Sequence, residues 1–197
     1  MAERQRCIPM SLRSLLAQLR EDQAVHGGGW SRPGFQAVAV YRIGVWLRGV
    51  HPLARRVIRP FYRVAHIFIR NVYTIELTSE AKVGRRLWIA HQGGIVIHSQ
   101  SEIGDDCMIR QNVTIGQISQ NPPEGERKAP RIGHNVQIGA GAVILGGIDI
   151  GDDARIGPNA VVMTDVPAGA TAFAPPAKLL RPPAKVDDGP SKDEARG

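Results

Sequence analysis

The sequence predicts a mainly β protein, a left-handed parallel β-helix preceded by a small N-terminal helical segment. The first observation is a period of six, because an aliphatic residue occupies every sixth position from Ile132 to Val162. A small or apolar residue follows each of these after four positions, and glycine often comes directly after the aliphatic residue, as at Gly133 and Gly139. This period fits neither an α-helix nor long strand alternation, and it is typical of a solenoid with three short strands per coil.

The same period is present earlier in the chain, with one change of phase. It runs from Leu77 to Ile95, shifts by two residues, and then continues from Ile97 to Ile115. In a triangular coil the aliphatic residue points into the prism, while glycine or a polar residue turns the corner. We therefore expect the coils to begin near residue 71.

Two breaks in the repeat delimit the domain. Residues 117–131 are polar and rich in proline and glycine, which predicts a loop extending from the prism. Long loops on rigid scaffolds commonly serve function. Prolines end the repeat after Val166. The β-helix domain is thus expected over residues 71–180, with a disordered tail over residues 181–197.

Residues 1–70 form a basic segment with predicted helices at 11–19 and 34–70. The first 75 residues contain 12 arginines against three acids, and Pro52 and Pro60 are expected to break or kink the second helix. Two roles stay open for this segment. It is either a cap over the open end of the solenoid, or an amphipathic helix at residues 34–70 that lies on an anionic membrane surface.

Composition narrows the choice of compartment and partner. The chain has no run of 18 apolar residues and no apolar stretch followed by a small-residue cleavage site, which predicts neither a spanning helix nor a secretory signal. Cys7 and Cys107 do not form a disulfide framework. We predict a cytoplasmic protein, with the inner face of the membrane as an alternative site. Nucleic-acid signatures are absent from the sequence, so no nucleic-acid partner is predicted.

His91 is the strongest candidate for catalysis on residue type and position. It lies two residues after the inward Ile89, near a corner, and Gly93 and Gly94 leave room for another molecule to approach. Its side chain should therefore project outward. Cys107 falls at an inward position of the repeat, which predicts core packing and not nucleophilic catalysis.

Further motifs lie on the repeat. They are IEL at 75–77, HQGG at 91–94, QNVTIG at 111–116, IGAGA at 138–142, DVPAGA at 165–170 and PAK at 176–178. Together they resemble the serine acetyltransferase family of hexapeptide-repeat acyltransferases, and the short members that accompany polysaccharide synthesis in particular. The resemblance implies acetyl-CoA as co-substrate, no metal, and a homotrimer with active sites between neighbouring prisms.

The resemblance also implies roles for individual residues. His91 would remove the proton of the acceptor hydroxyl, and Glu76, fifteen residues earlier, would orient the imidazole. Backbone N–H groups near Gly116 would stabilise the tetrahedral oxyanion. The predicted cofactor-binding residues are Gly116, Gly139, Ala140, Pro158 and Lys178, and the predicted acceptor-binding residues are Gln92, Gln111, Asn112 and Lys128.

The sequence departs from the family pattern where serine would be recognised. Ala90 replaces the acid before the catalytic histidine, and Ala129, within Lys128-Ala129-Pro130, replaces a second active-site histidine. These losses favour acetyl transfer to a sugar hydroxyl in surface-polysaccharide synthesis. The alternative is serine O-acetylation in cysteine biosynthesis. A remote alternative is a γ-carbonic-anhydrase-like metal hydratase, with His91, His98 and His134 as the only available ligands.

Overall fold

The computed structural model describes residues 10–119 and 127–178. The predicted tail at 181–197 and the centre of the predicted loop 117–131 lie outside the described residues. Three helices come first along the chain, and a solenoid of short strands follows them. The helices are α1 (Leu12–Val25), α2 (Pro33–Leu47) and α3 (Pro52–Val72).

The solenoid contains fourteen short strands in the part of the chain described. In chain order they are β1 (Ile75–Leu77), β2 (Lys82–Val83), β3 (Trp88–Ile89), β4 (Ile95–Ile97), β5 (Glu102–Ile103), β6 (Met108–Ile109), β7 (Thr114–Gly116), β8 (Arg131–Ile132), β9 (Gln137–Ile138), β10 (Val143–Leu145), β11 (Asp149–Ile150), β12 (Arg155–Ile156), β13 (Val161–Val162) and β14 (Thr171–Ala172).

Successive strands lie on successive faces of a three-sided prism. Face A contains β1, β4, β7, β10 and β13, face B contains β2, β5, β8 and β11, and face C contains β3, β6, β9, β12 and β14. Neighbouring strands on a face pair in parallel, and a bridge from Ile150 to Val166 extends face B by one more coil. The predicted left-handed parallel β-helix is confirmed.

The aliphatic residues of the repeat form the core, as their period indicated. On face A, Ile97 pairs with Ile115, Ile115 with Ile144, and Ile144 with Val162. The three isoleucines are 0–1% exposed. Burial of one such side chain contributes on the order of 1.5–3 kcal/mol relative to exposure. Columns of stacked aliphatic side chains therefore stabilise each coil through its neighbours alone.

The change of phase in the sequence is an enlarged corner between faces C and A. Leu77 pairs with Ile97, twenty residues on, whereas Ile97 pairs with Ile115, eighteen residues on. The two extra residues lie in the corner at 90–94, where Gly93 and Gly94 have φ values of 111° and 63°. The φ of Gly93 is one that only glycine adopts without strain, and a Cβ added at Gly94 would collide with the Asn112 side chain. The glycines after His91 are thus required by the shape of this corner.

Helix α2 covers the open end of the first coil. The Tyr41 hydroxyl donates to Ala81 O at 2.9 Å and accepts from Val83 N at 3.1 Å. Arg42 donates to Val83 O at 2.9 Å and to Gly84 O at 2.5 Å. These backbone groups face the side of the coil where no earlier strand lies. Two side chains of α2 therefore supply the hydrogen bonds that another coil would have made.

A buried ion pair joins α1 to this cap. Arg42 Nε donates to Asp22 Oδ2 at 2.8 Å, and their side chains are 3% and 0% exposed. His26 adds a second contact, because its Nε2 accepts from Ile89 N at 3.2 Å while its Nδ1 donates to Asp22 O at 2.6 Å. Burial lowers the pKa of His26, which favours the neutral ring that can accept from Ile89.

The helices differ from the sequence prediction in their bounds. Helix α1 continues to Val25, well beyond the predicted end at residue 19. The helical segment predicted at 34–70 is divided as expected at Pro52, which begins α3 at a position where the helix needs no backbone N–H donor. Pro60 lies inside α3, which is not broken there. Within the described ranges, we find no helix with the length and apolarity needed to cross a bilayer.

Candidate active site

His91 lies in the enlarged corner between β3 and β4, and its side chain is exposed. Hydrogen bonds hold the corner from both sides. Gly94 N donates to Thr74 Oγ1 at 2.9 Å in the coil before it, and Asn112 N donates to Gly93 O at 2.7 Å from the coil after it. Because the backbone is fixed while the imidazole is open, an acceptor hydroxyl can reach the ring without any change in the prism.

Glu76 is the middle residue of β1, and its side chain points outward from face A, since Ile75 and Leu77 on either side are buried. It is aligned with Val96 in the strand that follows the His91 corner. Neither the Glu76 side chain nor the His91 side chain makes a hydrogen bond or ion pair with another described residue. The role of Glu76 in orienting His91 therefore stays a prediction.

Most of the predicted site residues lie on the edge where face C passes into face A. We call this edge the histidine edge. Backbone hydrogen bonds join consecutive corners along it, from Gly141 N to Gln111 O at 3.0 Å and from Asn159 N to Ala140 O at 2.9 Å. His91 lies at the first of these corners. The other predicted site residues on this edge are Gln92, Gln111, Asn112, Gly139, Ala140 and Pro158.

Gln111 has the one unusual polar group along this edge. Its Oε1 is buried and has no hydrogen-bond partner among the described residues. Leaving such an oxygen unpaired costs about 1–3 kcal/mol. A ligand that brings an N–H or O–H donor to this position, one coil from His91, would remove that cost. The oxygen has almost no solvent-accessible surface, so the Gln111 side chain must turn outward before a ligand can pair with it.

Two predicted residues lie on a different edge, where face A passes into face B. Gly116 ends β7, and the exposed Lys128 comes shortly before β8. This loop edge and the histidine edge are at opposite ends of the face A strands. A single chain does not therefore bring Lys128 or Gly116 together with His91.

Arg127 and Asp149 are functional candidates that the sequence reasoning missed. Arg127 donates to both carboxylate oxygens of Asp149, at 2.8 and 2.6 Å, and to Gly147 O at 2.9 Å. The guanidinium lowers the pKa of the Asp149 carboxyl through these bonds. The contact holds the end of the loop against β11 and so fixes the residue before Lys128. In the sequence, the basic residues at the end of the loop are the one signal that indicates this ion pair.

The departure at Ala129 has a packing explanation. Its side chain is 4% exposed, and Pro130 beside it is also buried. The loop thus enters β8 with its small side chain packed onto the prism. A larger side chain at residue 129 would require the loop end to move outward. Ala90 is partly exposed and adjoins the corner of His91.

Lys178 follows β14, the last strand of face C, so the chain leaves the prism at the histidine edge before this residue. Its side chain is exposed. The position is compatible with contact to a ligand that lies along the edge, as predicted.

The three histidines proposed as metal ligands lie on three different edges. His91 is on the histidine edge, His98 is on the loop edge after β4, and His134 is between β8 and β9 on the third edge. They do not converge. Within residues 10–119 and 127–178, no group of three His, Cys, Asp or Glu side chains is arranged to hold a metal ion. The geometry gives the hydratase alternative no support.

Cys107 is fully buried, and its thiol donates to Gly133 O at 3.1 Å. Burial raises the pKa of this thiol to about 11. The thiolate needed for nucleophilic attack is therefore disfavoured, in agreement with the predicted packing role.

Known proteins similar to this chain share its repeat and its fold. Residues 129–163 match the family model described as bacterial transferase hexapeptide (six repeats). A serine acetyltransferase of Helicobacter pylori is 39% identical over 171 residues, which cover 85% of this chain and 94% of that protein. A serine acetyltransferase of Mycobacterium tuberculosis is 38% identical over 150 residues, covering 75% of this chain and 61% of that protein.

The solved structures lead to the same group. Soybean serine acetyltransferase superposes with a TM-score of 0.67 at 31% identity, covering 85% of this chain and 69% of that chain. Serine acetyltransferase from Vibrio cholerae superposes with a TM-score of 0.66 at 28% identity, covering 81% of this chain and 62% of that chain. The chain thus spans nearly all of the short relative and under two thirds of some longer ones.

Proposed function

Because this chain belongs to the serine acetyltransferase family and is an acetyl-CoA-dependent O-acetyltransferase, we propose that its acceptor is the hydroxyl of L-serine. The support is the similarity over 94% of the length of the Helicobacter pylori protein, which is named for serine. The sugar acceptor expected from Ala90 and Ala129 has no comparable support. The argument for a sugar is that Ala90 and Ala129 offer no charge partner to serine. The burial of Ala129 gives a packing reason for alanine at that position.

The proposed reaction needs one proton acceptor and few other groups. A neutral His91 ring takes the proton of the serine hydroxyl as the oxygen attacks the thioester carbonyl. The C–O bond forms, the tetrahedral intermediate collapses, and the C–S bond breaks. The proton on His91 then passes to the departing thiolate, which leaves CoA and O-acetylserine. Glu76 would stabilise the imidazolium during this sequence.

Two groups could bind the charges of serine in the absence of an acid at residue 90. Once the Gln111 side chain turns outward, its unpaired Oε1 can accept a hydrogen bond from the ammonium group, and a charge-assisted bond of this kind is stronger than a neutral one. Lys128 is exposed and positively charged, and it can pair with the carboxylate.

The acceptor is tested by titrating released CoA with L-serine, 3-hydroxypropionate, L-serinamide and a neutral trisaccharide. We expect serine to be the best acceptor. Loss of the ammonium in 3-hydroxypropionate or of the carboxylate in serinamide should each lower kcat/KM roughly 10- to 100-fold, as expected for a bond to a charged group. Lys128→Ala should reduce turnover of serine and leave that of serinamide almost unchanged. Faster turnover of the trisaccharide would instead establish a sugar acceptor.

We also propose a homotrimer in which each site draws on two chains. The support is the separation of His91 from Lys128 and Gly116 on different edges, which a neighbouring prism would bring together. When His91→Ala and Lys128→Ala chains are mixed at random in equal amounts, three quarters of the trimers contain both variants. Each mixed trimer has three sites, and one of them combines an intact His91 with an intact Lys128. We expect about a quarter of the wild-type rate from such mixtures. If each site lay within one chain, the mixture would show only the mean of the rates of the two variants.

A further inference from the structure

Helix α3 carries an exposed apolar stripe along its whole length. The stripe has the spacing of one face of an α-helix, with steps of three or four residues. Its members are between 47% and 74% exposed, although every one is a leucine, valine or phenylalanine. They are Leu53, Val57, Phe61, Val64, Phe68 and Val72.

The stripe is not the face that attaches α3 to the rest of the protein. Ile69 is the residue of α3 that is buried, and Tyr62 packs beneath Gly44 of α2, where an added Cβ would lie 2.5 Å from its hydroxyl. The stripe adjoins these contacts, since Phe61 and Phe68 line the same groove as Ile69, but most of its surface stays exposed. Trp30, which is 70% exposed, stands with Phe61 and Phe68 around an apolar groove between α2 and α3. A soluble surface rarely leaves so much apolar area uncovered without a partner.

Helix α3 contains arginines and no acidic residue, and one acid from outside the helix, Glu80, lines a groove with Arg55, Arg59 and Arg63. No acidic residue occurs between Asp22 and Glu76. Four arginines of α3 line one groove with Pro52 and Pro60, and they make no ion pair with any residue that the structure describes. They are Arg55, Arg56, Arg59 and Arg63.

The positive charge of α3 distinguishes between two partners for the stripe, a second copy of the chain and an anionic membrane. A second copy of the chain that packed its own stripe here would bring two sets of four arginines together, with one acid, Glu80, beside each set, so repulsion between like charges would dominate. An anionic bilayer offers both complements at once, acyl chains for the stripe and phosphate groups for the arginines. We propose that α3 lies in the interfacial region of a membrane rich in anionic phospholipid, with the stripe toward the acyl chains. This inference is independent of the acceptor.

The test is flotation of the full-length protein with phosphatidylcholine vesicles, with and without phosphatidylglycerol. We expect binding to the vesicles that contain phosphatidylglycerol, weakened by salt because exposed charges are screened. Phe61→Glu should lower the bound fraction at least about tenfold, since a charge opposes insertion of the apolar face. Phe173→Glu is the matched control, because Phe61 and Phe173 are 74% and 75% exposed and Phe173 lies outside α3. It should bind as the wild type does.

Other outcomes would overturn the inference. Equal binding to both vesicle types would remove the role of the arginines. Absence of binding, together with a larger oligomer that Phe61→Glu dissociates, would show that the stripe is a contact between copies of the chain. Acetyl transfer in solution by Phe61→Glu should equal that of the wild type, so a failure here is distinguishable from a failure of the proposed function.

Discussion

Replacing His91 with alanine is expected to lower the rate of acetyl transfer roughly 100- to 10,000-fold, the range for loss of a positioned general base. The side chain is exposed on a corner whose backbone is held from both neighbouring coils, so its removal should leave the prism intact. Steady-state release of CoA measures the rate, and calorimetric titration with CoA should give an affinity close to that of the wild type.

Two variants make this test specific. His98→Ala removes an imidazole from the loop edge and should reduce the rate far less than His91→Ala. Glu76→Gln keeps the size of the side chain and removes its charge, so its effect should be smaller than that of His91→Ala if it only orients the ring. Equal losses would indicate that both residues act as one unit. A His91→Ala enzyme that retained more than about a tenth of the rate would place the base elsewhere.

Arg42→Met is expected to lower the free energy of unfolding by about 3–5 kcal/mol, the usual effect of breaking a buried ion pair. The substitution leaves the Asp22 carboxylate buried without its partner and removes the donors to Val83 O and Gly84 O. Urea unfolding followed by circular dichroism at a fixed protein concentration measures the change, because assembly makes stability depend on concentration.

The double variant Asp22→Leu/Arg42→Met separates the two causes. It removes both charges, so it should recover part of the loss, while the part due to Val83 and Gly84 remains. Lys82→Ala is the control for an exposed pair. Lys82 contacts Glu102 at 2.6 Å with the lysine side chain 66% exposed, and its loss should cost less than about 1 kcal/mol. A similar small effect for Arg42→Met would mean that the cap does not depend on this pair.

The repeat could be predicted from the sequence because each coil contacts only its neighbours. A period of six therefore states which residues face inward, and the stacking of Ile97, Ile115 and Ile144 follows from it. The change of phase after Ile95 is also visible in the sequence, but the structure is needed to assign the two extra residues to the corner at 90–94. The edge on which each histidine lies also follows from its place between strands.

Other features could not be predicted in this way. The pair of Asp22 and Arg42 joins two helices, and neither residue shows in the local pattern which helix face will meet the prism. The bond from Arg127 to Asp149 crosses from the loop to a coil, so its partner depends on where the loop returns. The unpaired oxygen of Gln111 is a property of the packed corner, and composition or spacing cannot reveal it.

The hydrogen bonds of Tyr41 and Arg42 to the first coil also affect the tendency of the protein to aggregate. Parallel strands at the end of a solenoid are exposed edges, and an uncovered edge is a template on which another chain can add strands. Here the carbonyl and N–H groups of residues 81–84 that point away from the second coil form hydrogen bonds with side chains of α2. The same hydrogen bonds that stabilise the cap thus leave these groups without a free donor or acceptor for an added strand, and loss of the cap would expose them as such a template.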